Sequence, residues 1–331
     1  MLIKELAQKR RLVLDGAMGT QLEEIIPPSS PMYVKGSPLW STEVLLGDPL
    51  IIEQVHRNYL EKGADIIITS TYQASQATLA KHRGMGLEET RNVWKISVDT
   101  AKRAVDGVLD GGKRYIAGSI GPFGAYLANG AEYSGEYGDV GLGKLVEYHT
   151  EQVRFFLANR DTDLIAFETI PSFDEVKAIV ELVKLFNISK EFYICFSCKT
   201  STTLADGTDL REVIQYILQQ RSISSAFDQY LIGVGCNCVD FELVTGFANY
   251  VNEISSSQLS LVVYPNLGFS NDMADVSQYG FKSNTEKWKD ALEQWCKIPT
   301  IRLIGSCCST GPNEIAVARQ VVDETTRKQD K

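Results

Sequence analysis

The chain has 331 residues, 44% of them hydrophobic and 23% charged, with a net charge of −9 and seven cysteines. An acidic balance without a lysine- or arginine-rich run argues against nucleic acid as a partner. No apolar stretch approaches bilayer-spanning length, and the start, MLIKELAQKRRLVLDG, lacks a signal-peptide core, so a cytoplasmic protein away from membranes is expected.

Eight apolar, β-branched runs follow, each succeeded by a helical pattern. RLVLDG (11–16) ends in Asp15, Gly16 and Ala17. The stretch 23–47, with Pro27, Pro28, Pro31 and Pro38, reads as a long first βα loop on the catalytic face. Asp48-Pro49 supplies an N-cap and an N1 proline for LIIEQVHRNYLEK, which Gly63 ends. DIIITSTY (65–72) leads through Thr69, Ser70 and Thr71 to Gln73, before the helix LEETRNVWKISVDTAKRAVDG. YIAGSIG (115–121) precedes KLVEYHTEQVRFFLANR, and DLIAFETI (163–170) brings Glu168 to its end. Ser172 and Glu175 read as a capping box for VKAIVELVKLF. FYICFSC (192–198) and REVIQYILQQ come next, then YLIGVGCNC (230–238) and FELVTGFANYVNEI. LVVYPNLG (261–268), TEKWKDALEQWCK, IRLIGSCC (301–308) and NEIAVARQVVDETTRK complete the series, with KQDK as a solvated tail. Eight alternations imply an α/β fold of one domain over 1–331: a parallel eight-stranded (β/α)8 TIM barrel. A doubly wound sheet would require a Gly-x-Gly-x-x-Gly turn after an early strand, which is lacking.

In a barrel the chemistry collects where strands end. Cys238 ends the sixth run, and Cys307 and Cys308 end the eighth. An odd cysteine count without a secretion signal argues against a disulfide framework and for reduced thiols. A lone cysteine would be read as a buried small hydrophobe. A vicinal pair plus a third thiol at another strand end points instead to a zinc ion (Zn2+) with three thiolate ligands and an open position. Cys195 and Cys198, three apart in a strand, point to opposite faces and read as packing. Cys236, two before Cys238, shares its face and stays a conceivable substitute ligand, while Cys296 reads as structural. His56, His82 and His149 fall away from strand ends and read as solvated or packed. An all-sulfur zinc, carrying about −1 charge, is a poor Lewis acid for hydrolysis but suits a bound thiol kept nucleophilic.

DGAMGT, FETIPS, Gly-x-Asn-Cys at the end of the sixth run and GSCCSTGP at the end of the eighth resemble the homocysteine S-methyltransferase family, over about 12–322. YIAGSIGP, PLWST, EYSGEYG and LVVYPNLG resemble its fungal and plant branch. The resemblance implies a zinc-dependent transfer in which homocysteine thiolate attacks the methyl of a sulfonium, S-methylmethionine or S-adenosylmethionine, to form methionine. It implies Cys238, Cys307 and Cys308 as zinc ligands, Asp15 and Glu168 as holders of the substrate ammonium, and the Gly16 and Ala17 amides as holders of its carboxylate. Thr71, Gln73 and Asn237 are expected to shape the zinc surroundings, and Trp40 to face a methylsulfonium. Ser306 stands where the family usually has glycine, a change tolerated at negative φ. Rival readings are a thiol or selenol methyltransferase with another acceptor or donor, such as selenocysteine or betaine, and a non-enzymatic zinc- or thiol-sensing protein. Donor preference and oligomeric state stay open at this level.

Overall fold

The computed structural model describes residues 1–109, 111–267 and 285–329. The eight expected runs form one parallel sheet: β1 (Leu12–Val13), β2 (Ile66–Ile68), β3 (Tyr115–Ile120), β4 (Leu164–Ile170), β5 (Glu191–Phe196), β8 (Leu231–Asp240), β9 (Leu261–Asn266) and β10 (Ile301–Ile304). The order β1-β10-β9-β8-β5-β4-β3-β2 is closed by a parallel bridge from Leu14 to Ile66. The architecture is therefore the (β/α)8 barrel. The hairpin β6 (Cys198–Thr200) and β7 (Thr203–Leu204) interrupts the alternation and was not legible as strands.

Two apolar layers hold the barrel. Leu12, Leu164, Tyr193 and Leu303 pack in its interior with neighbours from the other strands. A larger layer between sheet and helices includes Val13, Phe167, Ile194 and Ile304. Consecutive residues thus serve opposite faces, and both faces are dry, which explains the unbroken apolar runs. Across the strand starts, Asp65 accepts from Arg10 (2.9 Å), Arg319 (3.0 Å) and the Val13 amide (2.9 Å).

Most helices match expectation. Asp48 Oδ1 accepts the Leu50 amide at 3.1 Å, capping Pro49–Glu61. Ser172 Oγ accepts the Glu175 amide at 3.3 Å, capping Phe173–Leu185. The reciprocal half of that box is missing, because the Glu175 carboxylate turns to other partners. The first βα stretch is more ordered than expected, holding helices Met18–Ile25 and Ser41–Gly47. A helix at Ile3–Lys9 was also not anticipated; its Ile3 and Lys4 amides both donate to Glu191 at 2.7 Å. Gly268 and residues 330–331, the end of the predicted tail, lie outside the described residues. No helix of the described residues is long and apolar enough to cross a membrane.

Candidate active site

A cavity of about 340 Å³ opens at the carboxyl ends of the strands. It is lined by Cys238, Cys307 and Cys308 together with Asp15, Glu168, Gly16, Ala17, Gln73 and Asn237. Nine of the ten expected site residues therefore meet there. The tenth, Thr71, is fully buried behind the wall, donating to the Ser119 carbonyl at 2.7 Å. It supports a cavity residue and does not face substrate.

The vicinal thiols are aimed by their backbone. The Gly305 amide donates to Val263 O (2.8 Å), Ser306 to Asp15 O (3.2 Å), and Cys307 to Pro265 O (2.8 Å), while Cys308 O accepts from Leu267 (3.2 Å). The segment after β10 is thus strapped between the loop after β1 and the end of β9. Gly305 is required there, since an added Cβ would stand 2.6 Å from the Leu14 Cβ. Ser306 is absent from the positive-φ residues, so its side chain is accommodated as expected. Its Oγ is buried without a hydrogen-bond partner and lines the cavity.

Cys238 arrives by a different device. Regular alternation would turn it to the helix-side layer with Cys236, and the expectation that the two share a face is overturned. Cys236 is buried in that layer, whereas Cys238 lines the cavity. The reason is backbone: Cys238 has φ 51°, within the register shift between Asn237 and Asp240. Cys236 is thereby removed from the ligand set. Cys195 is fully buried and Cys198 begins the β6 hairpin, both outside the cavity. None of the three histidines lines the cavity.

The ligand sulfurs of Cys238, Cys307 and Cys308 lie within 4.8 Å of one another. The Cys238 and Cys307 sulfurs are in direct contact, with Cys308 beside them. That approach can bring three soft donors onto one small ion, so the residues fit a thiophilic metal. Burial, and less so the Glu23 charge, pushes the Cys308 thiol up to about 11; a coordinated cation reverses this by deprotonating its thiol ligand.

Two carboxylates share the cavity. Glu168 accepts from the Ser119 hydroxyl and from Tyr264 Oη (3.1 Å). Burial pushes it up to about 7, against the pull of those two bonds. Asp15 accepts the Ile68 amide at 2.8 Å, yet burial, and then the Glu168 charge, hold its carboxyl well above the usual range. Two desolvated acids side by side form a site awaiting a cation. Beside them the first turn of Met18–Ile25 presents backbone N–H groups at the positive end of its dipole. Glycine is required at Gly19, because Trp40 packs on it, its Cζ2 1.8 Å from where a Cβ would be. Tyr59 fixes the same turn, donating to Ala17 O at 2.9 Å.

Several lining residues escaped the sequence reading. Tyr264 lies two residues before the end of β9 and passes for an apolar core position. Tyr72, Glu132 and Tyr133 also line the cavity. The signal for the last two, EYSGEYG, was noted only as a resemblance.

A (β/α)8 barrel whose mouth joins three thiols to paired acids is a thiol-handling enzyme. A family model described as homocysteine S-methyltransferase matches residues 12–322. The chain is 33% identical over 312 residues to homocysteine S-methyltransferase of Escherichia coli, covering 93% of this chain and 94% of that protein. It is also 33% identical over 335 residues to homocysteine S-methyltransferase 1 of Brassica oleracea, covering 93% of each. Among solved structures, the metallated form of the Escherichia coli homocysteine methyltransferase MmuM matches with TM-score 0.77 at 32% identity, covering 96% of this chain and 98% of that one. The oxidized form of the same protein also gives 0.77, with 94% and 95% covered. The chain belongs to the homocysteine S-methyltransferase family and is a methyltransferase.

Proposed function

We propose that the protein is a zinc-dependent enzyme that moves a methyl group from a sulfonium donor to homocysteine, forming methionine. The observation that carries this is the meeting of three thiols within 4.8 Å in the same small cavity as Asp15 and Glu168. Cys238, Cys307 and Cys308 would hold the zinc ion. Bound there, it supplies a lowered thiol pKa, so that homocysteine is presented as a thiolate at neutral pH.

The chain's own residues do the rest. Asp15 and Glu168 take the homocysteine ammonium, and the Gly16 and Ala17 amides take its carboxylate, fixing where the sulfur points. The thiolate attacks the methyl carbon in line. The carbon–sulfur bond of the donor breaks, its electron pair stays on the donor sulfur, and a neutral sulfide leaves. The homocysteine proton goes to solvent, so no side-chain base is needed.

The lining favours a cationic donor. Among the described residues it contains three carboxylates, Asp15, Glu132 and Glu168, and no lysine, arginine or histidine. A polyanionic folate would meet uncompensated negative charge. At about 340 Å³ the cavity lies at the small end of ligand pockets, suiting two amino-acid-sized molecules better than an added adenosyl group. S-methylmethionine is therefore the favoured donor over S-adenosylmethionine. The need for reduced thiols fits a cytoplasmic location.

The test is metal analysis of the reduced protein together with homocysteine turnover on S-methylmethionine, S-adenosylmethionine, betaine and methylfolate. The expected result is one zinc per chain and turnover fastest with S-methylmethionine. Turnover with betaine or folate alone overturns the donor reading, and full activity in metal-free protein overturns the zinc.

A further inference from the structure

An amino-acid sulfonium carries two positive charges with different fates. The sulfonium loses its charge as the methyl leaves, whereas the α-ammonium keeps its own. A carboxylate against the sulfonium stabilises the ground state more than the transition state and slows transfer. One against the ammonium binds both states equally and costs no rate. The donor is therefore best gripped by its ammonium, by an acid other than the pair assigned to homocysteine.

Such an acid is present. Glu132, on the short helix Ala131–Ser134, lines the cavity, and its Oε2 is buried without a hydrogen-bond partner. Burial raises its carboxyl above the usual range, as for the other two acids. Tyr72 lines the same cavity, close enough to feel the charge of both Glu132 and Glu168. Trp40, Tyr72 and Tyr133 complete this part of the lining and offer aromatic surface to a cation.

The segment that carries Glu132 is held firmly. Glu175 accepts from the Phe123 amide (2.7 Å) and the Tyr137 hydroxyl (2.6 Å), with His149 Nε2 at 2.8 Å. Phe123 and Tyr137 flank Glu132 in sequence, so this buried carboxylate anchors both ends of its loop. Gly124 is pressed against the Glu132 amide, leaving no room for a Cβ. A carboxylate so positioned, half-buried at the cavity wall with Oε2 unpartnered, calls for a cationic ligand.

We infer that Glu132 binds the α-ammonium of the methyl donor and makes the enzyme select amino-acid sulfoniums over sulfoniums without an amino group. This rests on the proposed sulfonium reaction. Glu132 meets the donor away from the reacting atoms and is a specificity determinant for it.

The test compares Glu132→Gln and Glu132→Asp with the wild type in reduced, zinc-loaded protein. Turnover is measured with S-methylmethionine and with dimethylsulfoniopropionate, which lacks the amino group, and S-methylmethionine binding is measured by calorimetry. Glu132→Gln should lower the ratio of kcat/KM for the two donors about 10- to 100-fold, as expected for losing a hydrogen bond between charged groups. The loss should lie in KM for S-methylmethionine and be matched in its Kd. Glu132→Asp should recover part of it, and homocysteine binding serves as the check on folding. An equal loss with both donors, or none, overturns the assignment alone. Wild-type protein that methylates homocysteine from neither sulfonium overturns the donor reading and the assignment with it.

Discussion

Asn237 and Thr169 hold each other across the end of β5. The Asn237 Oδ1 accepts the Thr169 amide at 2.7 Å, and its Nδ2 donates to Thr169 Oγ1 at 2.8 Å. Both strands break register at this point, β4 between Phe167 and Ile170 and β8 between Asn237 and Asp240. Thr169 has φ 61° and Cys238 has φ 51°, left-handed conformations that cost a branched or bulky residue energy. The amide pair holds that strain in place and turns Cys238 into the cavity. Replacing Asn237 with alanine should weaken zinc binding about 10- to 100-fold, as losing the support of a metal ligand does. Competition against a chromophoric chelator measures it; unchanged affinity would show that Cys238 is held by other means.

Cys308 is the second candidate ligand from the vicinal pair, its sulfur within 4.8 Å of the other two. Cys308→Ser should lose zinc on dialysis in reducing buffer and lose activity together, by more than about 100-fold, beyond what a supporting residue costs. Metal content and kcat are measured on the same samples, and activity that outlives the metal would refute the role.

Glu168 gives a pH dependence with a definite sign. Burial pushes its carboxyl up to about 7. Above that pH it is ionised and attracts the homocysteine ammonium; below it, it is neutral. KM for homocysteine should therefore rise as pH falls through about 7, by up to about tenfold per pH unit. The same shift acts on folding in the opposite sense. The unfolded carboxyl ionises near 4.5 and the folded one only near 7, so this residue costs stability above that window and the cost disappears as pH falls. Glu168→Gln should flatten the KM profile while raising stability at pH 8 by about 1–3 kcal/mol. Thermal unfolding and steady-state kinetics separate the two effects.

His56 tests the helix layer. It is fully buried on Pro49–Glu61, and neither ring nitrogen has a hydrogen-bond partner. Burial lowers its pKa to about 4 from 6.5. Unfolded histidine takes a proton between those values and the folded one does not, so stability should fall as pH drops from about 6.5 to about 4. His56→Leu should remove that slope and stabilise the protein by about 1–3 kcal/mol at neutral pH, by sparing an unpaired buried ring. Denaturant titrations at several pH values would show it, and a destabilised variant would mean the ring is partnered in solution.

The amino-acid sequence by itself determined the barrel. Eight apolar runs, too short for buried helices and separated by amphipathic ones, have few other ways to bury two faces at once. It also determined which strand ends carry sulfur and carboxylate, because position at a run's end follows from chain order alone. What only the tertiary structure decided depends on backbone turns and on distant partners. Alternation places Cys238 with Cys236, and a left-handed residue separates them. Glu175 reads as a cap from local spacing, yet its carboxylate goes to Phe123, Tyr137 and His149, all remote in sequence. Glu132 carries no local signal of a role, and only the fold brings it into the cavity wall. Periodicity reports which face a residue prefers; it carries no information on where a strand bulges or on which groups meet across the barrel mouth.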